Sequence, residues 1–226
     1  MLLSLSDMRG LAKIVSGAFH PLFLAFILIL LAFQVDKYGY YITDERGVGA
    51  FLIMSFFMMV VFPAISIGLL AGLNFISHIT MPNREDRVIP LIITLSLYIW
   101  YYVNVSHNAA LPTSLRFVTL GLCLAVGSAF FINNFTKISL HTVGVAGLTM
   151  ALGLLFMSLR TTYIDLDFSL LGEYRVSAIF VLLGCVILCG LVGSARLYLK
   201  AHEPQEVYGG YIVGFLAQII AYRIIM

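Results

Sequence analysis

The chain is expected to be all-α, a polytopic bundle of about six or seven transmembrane helices, and three observations predict this. Of its 226 residues, 61% are hydrophobic and 11% charged, with a mean hydropathy of +1.02, where a soluble globule holds roughly 45–50% apolar residues. Seven apolar stretches approach the ~20 residues that a helix needs to cross the hydrocarbon core of a bilayer. These stretches lack the period-two alternation of a membrane barrel and outrun its strands of roughly 10 residues. A helix, whose backbone polar groups are satisfied within the segment, is the remaining way across.

The first stretch, about 14 to 34, carries Pro21 and has no small-residue cleavage site, so it reads as a retained helix rather than a signal peptide. The second, about 48 to 73, contains Gly68 and Gly72, a small-xxx-small pattern that implies close helix packing, as Gly144 and Gly147 do more loosely in the fifth. The third, about 88 to 105, ends in Tyr98-Ile-Trp-Tyr-Tyr, aromatics of the kind that anchor at membrane interfaces. The fourth to seventh run over about 112 to 132, 142 to 159, 176 to 193 and 207 to 226. Nearly every residue then falls in a helix or a short loop of one transmembrane domain spanning residues 1–226. Cys123, Cys185 and Cys189 all lie within spans and read as small apolar packing groups rather than disulfides or metal ligands.

Counting spans puts the N-terminus and the loops after the second, fourth and sixth helices on one face. These loops hold His78, Arg84 and Arg87; Lys137, Ser139 and His141; and Arg196, Lys200, His202 and Glu206. Taken singly, each is more often a solvated loop residue than a ligand. Together they can converge as four or five cations with two histidines at one interface, a set suited to phosphate. The opposite face, with Asp36, Lys37, Asp165 and Arg175 among others, reads as headgroup contact. A net charge of +2 with scattered basic residues gives no footprint for nucleic acid.

Hydrolysing a phosphate ester without a metal requires cations on the non-bridging oxygens, an in-line nucleophile and an acid for the leaving oxygen. His202 is the candidate nucleophile, through a neutral imidazole nitrogen. Glu206, four positions on, is expected one helical turn away, where it can hold the ring's other nitrogen. His141 is the candidate acid, and Arg196, Arg87, Arg84, Lys137 and Ser139 are the candidate phosphate-binding residues. No spacing suits zinc and no aspartate-rich magnesium motif is present, so no cofactor is expected. His20 and His107 are left outside the site, and His78 is read as a loop histidine.

These residues resemble the type 2 phosphatidic acid phosphatase superfamily of membrane lipid phosphatases, which shares its core with vanadium haloperoxidases, over about residues 77–215. Its third motif, Ser-Arg, five residues, His, three residues, Asp, is similar to Ala195-Arg196, His202 and Glu206, with Gly210 and Gly214 following. The second, Pro-Ser-Gly-His, aligns with Ile138, Ser139, Leu140 and His141, so the Pro and Gly are replaced. The first, Lys, six residues, Arg-Pro, fits least well: Arg87 stands for the Arg, Thr80 sits where Lys belongs, and Pro90 comes three residues on.

The resemblance implies a helical core of that family, a phosphohistidine intermediate on His202, Glu206 as its orienter and His141 as the acid, with no metal. The expected function is hydrolysis of a phosphate monoester or diphosphate on a lipid headgroup, of polyprenyl diphosphate, phosphatidate, phosphatidylglycerol phosphate or lipid A type. The alternatives are an inactive lipid-phosphate-binding protein and a lipid phosphoryl or prenyl transferase. The expected partners are the bilayer and the lipid phosphate, not nucleic acid. Seven basic residues on the site face against six opposite decide no orientation; setting aside the five in the site loops, Arg84, Arg87, Lys137, Arg196 and Lys200, as candidate phosphate ligands leaves two against six. By the preference of Lys and Arg for the cytoplasmic side, the site then faces the periplasm of a bacterial inner membrane.

Overall fold

The computed structural model describes residues 5–40, 45–168 and 172–226. Among them, six helical segments are long and apolar enough to cross a membrane: Arg46–Gly72, Glu85–His107, Thr113–Asn133, Leu140–Ser158, Ala178–Tyr198 and Pro204–Ile225. A seventh crossing arises if the bent pair α1 (Leu5–Ala18) and α2 (Pro21–Val35) is one broken span. The outer faces are apolar: Ile179, Phe180, Leu183, Ile187 and Leu191 of α8 (Ala178–Tyr198) are all exposed, a surface suited to lipid and not to water. The chain is therefore an integral membrane helical bundle.

The first stretch is not the single helix expected over about 14 to 34. Proline disfavours the helical region for the residue before it, and His20 accordingly takes φ −64°, ψ 141°. The chain bends by 54° there, and the His20 ring caps the new helix, its Nδ1 accepting from the Leu22 N–H at 3.4 Å. Helix α1, with Arg9 and Lys13, stays largely exposed.

The second span is also interrupted. A π-helical turn, Phe57–Val61, joins α3 (Glu45–Phe56) to α4 (Phe62–Gly72), because Pro63 has no N–H to give the Met59 carbonyl. The Tyr98 hydroxyl of α5 (Val88–His107) donates to that carbonyl at 3.3 Å. Tyr98 and Tyr101 are thus buried core residues rather than interface anchors, and Tyr101 bonds Ser55 at 2.7 Å. Of the aromatics in that run only Trp100 is half exposed, at 50%.

Helices α6 (Thr113–Asn133), α7 (Leu140–Ser158) and α9 (Pro204–Ile225) form the centre, and α7 packs most extensively against α9. Two glycines permit this approach. A Cβ on Gly210 would lie 2.1 Å from Thr142 Oγ1 and 2.7 Å from the Ser139 carbonyl oxygen, and one on Gly214 would lie 2.3 Å from the Val143 carbonyl oxygen. Gly68 and Gly72, expected at a helix contact, meet nothing within 4 Å. Cys123 and Cys185 are buried and Cys189 is partly buried.

The connection between α7 and α8 holds an antiparallel hairpin, β1 (Tyr163–Phe168) with β2 (Gly172–Ser177), rather than a plain loop. Its first strand alternates apolar and polar residues, and Arg175 Nε donates to its cross-strand partner Asp165 at 2.8 Å.

Candidate functional site

Three helix ends and the bend at His20 meet on one side of the bundle. Helix α8 ends in a Schellman turn: Ala201 N–H donates to the Arg196 carbonyl at 3.1 Å and Lys200 N–H to the Leu197 carbonyl at 2.9 Å, with Lys200 at φ 52°. This reversal carries the chain from Arg196, at the helix end, back to His202. Glu203 then caps α9 through a reciprocal capping box with Glu206, the third residue of the helix.

His202 therefore lies just before α9 and not on a helix shared with Glu206, as the spacing suggested. The capping box folds the Glu206 carboxylate back, so that Oε2 accepts from Glu203 N–H at 3.3 Å and from His202 Nδ1 at 2.6 Å. Burial first, then Arg87, Arg196, Lys137 and His141, push the His202 pKa down to about 2 from its ordinary 6.5. The ring is consequently neutral: Nδ1 carries the proton donated to Glu206, and Nε2 keeps its lone pair with no protein partner among the described residues.

Arg87 is buried and ties two loops together, Nε donating to the Met81 carbonyl at 3.1 Å and Nη1 to the Ile138 carbonyl at 2.9 Å. Arg196 makes no hydrogen bond among the described residues, and its buried Nε is unpaired. Lys137 donates to the Ala201 carbonyl at 3.0 Å; burial and then Arg87 hold its amine below the ordinary range. Ser139 is fully buried with an unpaired hydroxyl, and its N–H donates to the Glu206 carbonyl at 3.2 Å, locking α7 to α9.

His141 donates from Nε2 to the Ser16 carbonyl at 3.1 Å, leaving Nδ1 open. Its ring meets the His20 ring edge-on, centroids 5.5 Å apart. His20, outside the site by its sequence context, lines the same cavity as His141, Arg87, Arg196 and His202. The signal available was a histidine directly before a proline on the face already assigned to the site. Arg84 lies apart: exposed, its Nη1 donates to the Asn134 and Phe135 carbonyls at 3.2 and 2.9 Å and its Nε to Glu85 at 3.0 Å. His78 is exposed and bonded to Thr80, and His107 is an exposed residue at the far end of α5.

The cationic cluster closes one end of a cavity of about 410 Å³ that runs into the bundle between α2, α5, α6, α7 and α9. Beyond the charged end its walls are chiefly apolar, including Leu24, Leu28, Leu91 and Leu122, and the size lies within the range of small-ligand sites. Among the described residues, no three His, Cys, Asp or Glu side chains gather closely enough to hold a metal ion.

The arrangement places a cluster of cations and histidines at one end of a chiefly apolar cavity within a helical membrane protein. Comparison with protein-family models, curated proteins and solved structures finds no match.

Proposed function

We propose that this protein is a membrane phosphatase acting on a lipid phosphate by the chemistry of the type 2 phosphatidic acid phosphatases. The observation that carries the reading is His202, with Nδ1 fixed on Glu206 at 2.6 Å and Nε2 open, in a cavity whose polar end holds Arg87 and Arg196. Arg196, whose Nε has no partner among the described residues, and the remaining donors of Arg87 bind the non-bridging oxygens.

His202 Nε2 forms a bond to phosphorus as the phosphorus–oxygen bond to the lipid breaks, and Glu206 stabilises the positive charge growing on the ring. His141 takes up a proton on Nδ1 as the anionic phosphate binds beside it and gives that proton to the departing oxygen, while its Nε2–H stays on the Ser16 carbonyl. Water then attacks phosphorus, returns a proton to His141 and releases inorganic phosphate as the nitrogen–phosphorus bond breaks. The lipid chain remains in the apolar cavity throughout. The distribution of basic residues outside the site, two against six, supports an orientation toward the periplasm of a bacterial inner membrane.

The test is phosphate release by purified protein with EDTA present, from phosphatidate, phosphatidylglycerol phosphate, a polyprenyl diphosphate and lipid A, with His202→Ala as control. Release abolished by the substitution is expected. Binding of these lipids by a folded protein without release from any of them would replace the enzyme with a lipid-phosphate-binding protein, and release that depends on magnesium would favour a transferase.

A further inference from the structure

The inner end of the cavity is not purely apolar. Gln218 of α9 lines it, has no solvent exposure, and finds no hydrogen-bond partner for Oε1 or Nε2 among the described residues. Its amide lies in a notch made by two glycines: a Cβ on Gly121 of α6 would sit 2.2 Å from Oε1, and one on Gly147 of α7 would sit 4.0 Å from Nε2. Burying an amide with neither half paired is unfavourable, and more so at the depth of a bilayer, so such a group in a spanning helix marks a ligand contact.

Its depth follows from helix geometry. Gly147 lies six residues along α7 from His141, about 9 Å at 1.5 Å per residue, and Gln218 lies twelve residues along α9 from Glu206, about 18 Å. The amide is therefore roughly 9–18 Å from the phosphate end. An extended chain advances about 1.2 Å per bond, which corresponds to roughly 8–15 bonds.

Building on the lipid-phosphate reading, we propose that Gln218 is a specificity residue for a lipid phosphate whose chain carries a hydroxyl or carbonyl oxygen near its ninth or tenth carbon. Nε2–H donates to that oxygen, and Oε1 accepts from it where it is a hydroxyl. A plain alkyl chain leaves the amide unpaired and binds less well.

The experiment measures binding by thermal shift, and phosphate release separately, with full-length protein in detergent. The probes are dodecyl phosphate and dodecyl phosphate hydroxylated at carbon 9. Wild type is expected to bind the hydroxylated probe about tenfold more tightly, the worth of one buried hydrogen bond. Gln218→Met, close in length and volume, should erase that preference while keeping the plain probe, and Gln218→Leu serves as the second variant.

Equal affinity of wild type for both probes, as when a buried water serves the amide, overturns the proposal. So does a preference that persists in both variants, or failure of wild type to bind either probe. The phosphatase reading fails separately: discrimination that depends on Gln218 without phosphate release would keep the chain contact and remove the enzyme, whereas release with equal affinities would do the reverse.

Discussion

Replacing Glu206 by glutamine tests the centre of the proposed mechanism. The contact at 2.6 Å between His202 Nδ1 and Glu206 Oε2 is short enough to be a charge-assisted hydrogen bond once the ring becomes cationic. Bonds to charged groups contribute about 1.5–3 kcal/mol, so removing the charge while keeping the shape should slow turnover about 10- to 150-fold. Glutamine can still accept from Glu203 N–H, the bond that closes the capping box at 3.3 Å, so its melting temperature should stay near that of wild type. Glu206→Ala loses the same catalytic contribution and the cap as well, worth about 0.5–2 kcal/mol, and should melt several degrees lower. Phosphate release from dodecyl phosphate in detergent, alongside melting curves for both variants, makes the comparison. Turnover of Glu206→Gln within twofold of wild type would refute the role given to the pair.

Two further results are expected. Arg196→Met should weaken phosphate binding without lowering the melting temperature, because Arg196 has no hydrogen bond to lose among the described residues; Arg87→Met should weaken binding and also melt lower, because it strips partners from the Met81 and Ile138 carbonyls. Since His202 has a folded pKa depressed to about 2 against an ordinary 6.5, its contribution to stability is present above pH 6.5 and is lost as pH falls below that, by up to roughly 1.4 kcal/mol per pH unit; melting curves from pH 7 to pH 5 should fall more steeply for wild type than for His202→Gln.

The apolar fraction and the length of its stretches determined the membrane bundle by themselves, because a chain with this composition has no other way to satisfy its backbone in lipid. The spacing of Arg196, His202 and Glu206 likewise pointed to one cluster. Only the tertiary structure decided how they meet. The helices end at Asn74, Arg160 and Lys200, all at positive φ in a role usually filled by glycine, so no composition signal marked the reversal between Arg196 and His202. Equivalent glycine patterns had opposite outcomes, since Gly210 and Gly214 meet α7 while Gly68 and Gly72 face open space; a spacing of four puts two residues on one face but does not say what lies opposite it. Arg84 and Arg87 read alike in the sequence, yet backbone carbonyls from the neighbouring loop hold the first outside the cavity and the second inside it. His20, marked only by the proline that follows it, and Gln218, marked by nothing, line the cavity through helices distant in sequence, and periodicity along one helix carries no record of which neighbour packs against it.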